Sequence, residues 1–341
     1  MMLVTGSTGH IGNVLIRKLL RLGKQVRALV LPGENIDSLQ GLEVQLAVGN
    51  VLDPGSLSRA MQGIDTVYHL AGIISIIPGD EQIMKKVNIE GAKNVAEAAL
   101  AAGVHRMVHV SSIHAFRREP HGVVVDERTP FDPHSPAGGY DQTKAQGTLA
   151  VLSVAARGLN VVIVCPTGVI GPYDFRCSEL GQLVLNFSQR KVHFLINGAF
   201  DFVDVRDVAS GIILSARRGK PGETYILSGT RLTLTQLRAI VQTAAGIRTP
   251  RVMVPYKLAW FFSRFTQHLY RLTNTTPQYT TYSLQTVADN CCFSCQKATG
   301  ELGYRPRPIM VTVKDFLSWH KTSFMKRQPR RRKAVFAGGA G

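Results

Sequence analysis

Leu3-Val4-Thr5-Gly6-Ser7-Thr8-Gly9-His10-Ile11-Gly12 is the stretch whose reading decides the fold of this chain. Met2-Leu3-Val4 has the apolar character of a short buried strand, and Ile11 to Leu22 carries apolar residues at helical spacing. Gly6, Gly9 and Gly12 lie between them in a Gly-x-x-Gly-x-x-Gly pattern. A strand that turns at once into a helix leaves the first helical N–H groups without carbonyl partners. Those groups aim at the turn and make it an anion site.

The usual spacing of a dinucleotide-binding turn is Gly-x-Gly-x-x-Gly. By analogy, Gly6 permits the tight turn, Gly9 lets a pyrophosphate approach the backbone, and Gly12 lets the helix pack closely on the strand. Three glycines alone are a weak signal. Their place at the head of an alternating strand–helix pattern is what gives them weight.

That alternation runs through the first half. Strands are expected at Gln25 to Val30, Glu43 to Val48, Asp65 to Leu70, Arg106 to Ser111 and Asn160 to Cys165. Helices are expected at Pro54 to Met61, Glu81 to Ala102 and Tyr140 to Arg157. Such spacing implies a parallel α/β sheet covered on both faces, doubly wound, with ligands at the carboxyl ends of its strands. Past Pro166 the pattern loosens into short strands (Phe202 to Val205, Thr224 to Leu227) and helices starting near Asp207 and Thr233. A further helix, Tyr256 to Arg271, has Trp260, Phe261, Phe262 and Phe265 as core or as a wall of the substrate lobe. The expected organisation is a dinucleotide-binding domain over 1–170, its sheet completed by a later strand near 202–205. A smaller mixed lobe over 171–322 and a basic tail over 323–341 follow.

Composition narrows the function classes. The 341 residues are 45% hydrophobic and 18% charged, as in a globular protein, so disorder is excluded as the default. No run of 18 apolar residues exists to span a membrane, and structure begins too early for a cleavable leader, so a cytoplasmic protein is expected. Cys165, Cys177, Cys291, Cys292 and Cys295 make no disulfide framework in a chain this long. Cys292-x-x-Cys295 lacks a second ligand pair at metal spacing, and no metal is expected. Of the net charge of +17, six charges lie in Lys326, Arg327, Arg330, Arg331, Arg332 and Lys333. The remaining basicity suits anionic cofactors or substrates; no nucleic-acid motif accompanies it.

Two further signals carry chemistry. Tyr140 and Lys144 are four residues apart and share one helical face. A phenol with a pKa near 10 is a poor acid–base at neutral pH, and a neighbouring cation is expected to lower it. Ser111-Ser112 closes the fifth strand, where a hydroxyl can hold a carbonyl oxygen beside the tyrosine. A strand end bonding its own loop is the plainer alternative.

In this order, on these elements, the three signals resemble the extended short-chain dehydrogenase/reductase family, part of the NAD-dependent epimerase/dehydratase superfamily. The resemblance extends to about His320. Leu70-Ala71-Gly72, Asn88 within Val87 to Ala92, Pro166 to Pro172 and Phe202 to Val208 all look like family motifs. The pattern is nearest to the dihydroflavonol-reductase-like branch. The resemblance implies a Rossmann-type fold and a Ser112–Tyr140–Lys144 triad. Tyr140 exchanges the proton, Ser112 bonds the substrate oxygen, and Lys144 tunes Tyr140 and holds the nicotinamide ribose. Asn88 is implied as a structural or relay residue.

It further implies cofactor contacts from Gly6, Thr8, Gly9, His10, Ile11 and Gly12 in the turn, and from Arg27, Asn50 and Val51. Leu70, Ala71, Gly72, Tyr140, Lys144, Pro166, Thr167 and Val169 complete the expected set. Departures are His10 for an aromatic, Asn50 for an aspartate, and Leu31 where related plant reductases carry an arginine. Arg27 and the overall basicity tip the expected cofactor slightly to NADP, whereas Glu34 favours NAD. The reading is a reductase or dehydrogenase of a carbonyl/secondary-alcohol pair, its partly apolar substrate lined by Trp260 to Phe265 and Tyr173 to Leu180. A nucleotide-sugar epimerase with tightly bound NAD is the alternative, with Arg176, Arg190, Lys191, Arg217 and Arg218 as phosphate ligands. Ile113-His114 after Ser112 counts against a dehydratase. A dinucleotide-binding sensor or scaffold without turnover is a second alternative. A homodimer, through the long helices, is compatible with the family.

Overall fold

β1 (Met2–Thr5) ends at Gly6, whose φ of +63° lies in the left-handed region that glycine enters without a steric penalty. α1 (His10–Arg21) starts four residues later. In the computed structural model, which describes residues 1–74, 81–261 and 281–324, this unit begins a regular winding. β2 (Val26–Val30), β3 (Gln45–Val48), α2 (Pro54–Met61) and β4 (Thr66–His69) follow. Next come α3 (Glu81–Lys85), a π-helical turn (Lys86–Gly91) and α4 (Ala92–Ala101). β5 (Arg106–Val110), α5 (Gly139–Ala155) and β6 (Val161–Pro166) close the first half.

The expected helix over 81–102 is therefore broken by a π turn. A Cβ on Gly91 would lie 2.7 Å from Val51 Cγ2, and the Asn88 side chain is bonded to both the N–H and the carbonyl of Ile73. Inserting one extra residue into the helical turn accommodates both contacts.

β7 (Gly168–Ile170), α6 (Glu179–Phe187), β8 (His193–Leu195) and β9 (Ala199–Asp204) lead to α7 (Val205–Arg218) and β10 (Thr224–Leu227). β11 (Thr230–Thr233), α8 (Leu234–Ala245) and β12 (Arg251–Met253) follow. The seven-stranded sheet has the order β10-β6-β5-β4-β1-β2-β3, with every pairing parallel. The strand near 202–205 does not complete it. β9 pairs instead with β7 and β11 in a separate three-stranded sheet, and β10 supplies the seventh strand beside β6. Both strands bury three apolar side chains, Tyr225, Ile226 and Leu227 in β10 and Phe200, Phe202 and Val203 in β9. But β9 also carries buried Asp201 and Asp204, whose carboxylates need the donors that Thr167, Gly229 and the Arg206 N–H supply away from the large sheet.

Alternation along the strands splits the core in two. Leu3, Val67, Met107 and Ile163 face α2, α4 and α5 through Leu57, Val95, Ala99 and Val151. Val4, Tyr68, Val108 and Val164 face α1 and α7 through Leu15, Leu19, Val208 and Ile212. Each fully buried side chain of this kind contributes about 1.5–3 kcal/mol, so α7 belongs to the sheet's cover although it follows residue 170. Among the described residues no helix is long and apolar enough to cross a membrane. Residues 256–261 are helical, with Trp260 and Phe261 exposed rather than in the core. Phe262 and Phe265 lie outside the described residues.

Candidate active site

The winding reverses between β1 and β4, and a doubly wound sheet opens a crevice at that switch point. The glycine turn lies there. A Cβ on Gly6 would sit 2.7 Å from the Ala71 nitrogen, so the turn is pressed against Leu70-Ala71-Gly72 at the end of β4. Both strand ends are tied by Thr5, whose Oγ1 accepts from the N–H groups of Leu70 and Ala71 at 3.2 and 3.1 Å. A Cβ on Gly12 would fall 2.1 Å from the Gly6 carbonyl oxygen. Gly12 thus allows close approach to the turn itself, not to the strand. α1 has neither a side-chain cap nor an acid in its first turn, and its leading N–H groups remain suited to an anion. These residues fit a dinucleotide pyrophosphate.

His10 and Thr8 are both engaged. The His10 ring bonds the Pro172 carbonyl at 3.1 Å, and Asn13 donates to the Tyr173 carbonyl at 3.2 Å. The loop after β7 is thereby drawn onto the dinucleotide turn, with Arg17 over the Tyr173 ring. Asn50 accepts from Leu52 N–H and stands with buried Val51 just past β3, at the same edge of the sheet. Pro166 ends β6, Thr167 donates to Asp201 at 2.6 Å, and Val169 lies in β7. Arg27 is a correction. It stands at the opposite end of β2 and donates to Gln45 and to the carbonyls of Ala60 and Gln62, away from the carboxyl edge. A residue two positions into a parallel strand faces the wrong rim.

α5 brings Tyr140 and Lys144 to the carboxyl edge beside Ser112, which caps the turn Ile113–Ala115. Lys144 Nζ donates to the Val110 carbonyl at 3.0 Å, and a Cβ on Gly72 would lie 3.9 Å from that nitrogen. Burial lowers the Lys144 ammonium to about 8. Tyr140 is not lowered as expected. Burial, with smaller pushes from Asp141 and Cys165, brings its phenol up to about 12 against the pull of Ser112. The physical reason is desolvation of the phenolate, with the Lys144 donor engaged at Val110.

Behind this group, Asn88 Nδ2 donates to Thr143 at 3.1 Å, joining the π turn to α5. Beside it, buried Asp141 accepts from Tyr282 at 2.8 Å and from Arg118 at 3.1 Å, and His114 Nδ1 lies 3.6 Å away. The His114 ring is 5.7 Å from that of Tyr140, 6.2 Å from Phe200 and 6.1 Å from Tyr282. Sequence reasoning missed Asp141 and Tyr282 as members of the site. Asp141 stood next to Tyr140 with nothing to mark it, and Tyr282 arrives from 141 residues away. Glu34 and Arg176, by contrast, meet at the glycine turn, with 2.7 Å between Nη2 and Oε1.

A glycine turn at the switch point and a helix presenting tyrosine and lysine define a nicotinamide-dinucleotide enzyme of the short-chain dehydrogenase/reductase type. Residues 2–228 match the NAD dependent epimerase/dehydratase family, and the chain belongs to it, in the dihydroflavonol-reductase-like branch. It is 33% identical to sterol demethylase protein B of Methylococcus capsulatus over 94% of this chain and 98% of that one. A putative dihydroflavonol 4-reductase of Synechocystis is 32% identical over 93% of each. The solved structure of gox2253 superposes with a TM-score of 0.83 at 33% identity, covering 94% of this chain and 98% of that one.

Proposed function

We propose that the chain interconverts a ketone and a secondary alcohol on a bulky, largely apolar skeleton, with Ser112, Tyr140 and Lys144 at the reacting centre. The observation that carries this reading is the placement of Tyr140 and Lys144 on α5 beside Ser112 at the sheet's carboxyl edge, with Lys144 Nζ tied to the Val110 carbonyl at 3.0 Å. The dinucleotide, when bound, supplies or accepts the hydride. The chain's own residues do the rest. Tyr140 Oη gives its proton to the carbonyl oxygen, or takes one from the alcohol, while the Ser112 hydroxyl bonds the same oxygen and fixes its position. Lys144, anchored by the Val110 carbonyl at the same edge, would hold the ribose of a bound dinucleotide and supply positive charge to the reacting centre.

The His114 ring beside Tyr140, itself flanked by Phe200 and Tyr282, supports an apolar substrate, and the name of the Methylococcus relative makes sterol-type alcohols the first to try. The epimerase alternative loses two of its candidate phosphate ligands: Arg176 is paired with Glu34, and Arg218 donates to the Leu302 carbonyl.

The test is purified protein with NAD or NADP and a panel of hydroxysteroids and small secondary alcohols, followed by nicotinamide absorbance. Tyr140→Phe should lose turnover by about 10²–10⁴-fold while keeping dinucleotide affinity, in line with the usual worth of a positioned acid. Unchanged turnover would remove Tyr140 from the chemistry. NAD retained through purification and released only on denaturation would favour the epimerase.

A further inference from the structure

The Glu34 carboxylate is the meeting point of donors from three separate parts of the chain. Its Oε1 accepts from the Thr8 hydroxyl at 2.5 Å and from Arg176 Nη2 at 2.7 Å, and its Oε2 accepts from the Leu31 N–H at 2.9 Å. Arg176 Nη2 also donates to the Thr8 hydroxyl at 2.7 Å. Partial burial pushes the carboxyl up, but the bonds from Thr8, Leu31 and Arg176 bring it below its ordinary value. Thr8 belongs to the glycine turn, Leu31 is the first residue past β2, and Arg176 lies in the loop between β7 and α6.

In doubly wound dinucleotide folds the adenosine ribose lies between the first two of these. An acid there suits a free 2′-hydroxyl, and an arginine suits a 2′-phosphate. This chain holds one of each, paired with the other.

We propose that Arg176 is a masked ligand for a 2′-phosphate. Glu34 occupies the position such a phosphate needs and neutralises the guanidinium, so the chain takes a dinucleotide with a free 2′-hydroxyl. Loss of the Glu34 charge opens the site to NADP(H). The inference rests on the reading that the Gly6 turn takes a dinucleotide. Its physics is simple. A phosphomonoester brings about two negative charges, and beside a fixed carboxylate these repel. With the carboxylate gone, the Thr8 hydroxyl, the Leu31 N–H and the Arg176 fork are the donor set that binds phosphate with charge-assisted hydrogen bonds. Arg176 comes from outside the first βαβ unit, in the loop between β7 and α6.

The experiment measures dissociation constants of NADH and NADPH by nicotinamide fluorescence. The proteins are the wild type, Glu34→Gln, Glu34→Ala, Arg176→Met and the Glu34→Gln/Arg176→Met double variant, with thermal unfolding of each as a check on folding. The wild type should favour NADH. Glu34→Gln and Glu34→Ala should shift the NADPH/NADH affinity ratio toward NADPH by about tenfold or more, and the double variant should lose that gain. A wild type that favours NADPH would overturn the proposal. So would folded Glu34 variants with an unmoved ratio, or a gain that survives Arg176→Met. Wild type binding neither dinucleotide would bring down the underlying reading as well, whereas normal binding with an unmoved ratio sinks the masking alone.

Discussion

Burial shifts the pKa values of Tyr140 and Lys144 in opposite senses. The phenol, at about 12, stays protonated through the neutral range, while the ammonium, at about 8, is lost just above it. Ketone reduction should therefore fall as pH rises through about 8, because the positive charge that Lys144 brings to the reacting centre disappears while the proton donor remains. The pH profile of kcat/KM checks this, and a profile flat from about 7 to 10 would remove the Lys144 charge from the reaction. Stability runs the other way. Between about 8 and the ordinary lysine value the unfolded chain binds a proton that the native chain does not, so this group's contribution to stability rises with pH across that window and is most unfavourable below it. Lys144→Met should then unfold at higher urea at pH 7, by on the order of 1–2 kcal/mol after loss of the bond to Val110.

At the scale of elements, close backbone approach decides which glycines the fold needs. A Cβ on Gly147 would meet the Asn88 carbonyl oxygen at 2.0 Å, where α5 crosses the π turn, and one on Gly12 would meet the Gly6 oxygen at 2.1 Å. On Gly9 the nearest atom is 3.2 Å away. Gly147→Ala and Gly12→Ala should each destabilise by about 3 kcal/mol or more, since backbone must shift to admit the methyl. Gly9→Ala should cost less in folding and be felt chiefly in dinucleotide affinity. Urea denaturation beside NADH titration separates the two effects, and equal stability losses at all three positions would contradict the argument. The π turn has the same origin. Apolar periodicity from Glu81 to Ala102 reads as one helix, and only the contacts of Asn88 with Ile73 and Thr143 and of Gly91 with Val51 say where it must be broken.

Across the whole molecule, Asp141 joins α5 to the far end of the chain. Arg118 bridges it to Asp289 at 3.1 and 2.6 Å, and Tyr282 reaches it from the helix Thr281–Ala288. Burial pushes the Asp141 carboxyl up, but His114, Tyr282 and Arg118 together hold it below the ordinary aspartate value. Its contribution is therefore full above the unfolded pKa near 4 and lost as pH falls through the native one. Asp141→Asn should destabilise by about 3 kcal/mol at pH 7, with the difference from wild type shrinking in acid. Urea midpoints at the two pH values check it, and a constant gap would show that the charge is not what matters. Much of this protein was legible beforehand for a local reason. The Gly6–Gly12 turn, the strand–helix periodicity and the Tyr140/Lys144 spacing are each written within a few consecutive residues, and backbone geometry translates them directly. What tertiary structure alone decided are meetings between distant segments: β10 rather than β9 at the sheet edge, Arg27 at the wrong rim, and Tyr282 on Asp141. The pairing of Arg176 with Glu34 belongs with them. Periodicity specifies that an element buries a face; which partner covers it, and which end of a strand a charge occupies, are settled only when desolvation and hydrogen-bond satisfaction are resolved over the whole chain at once.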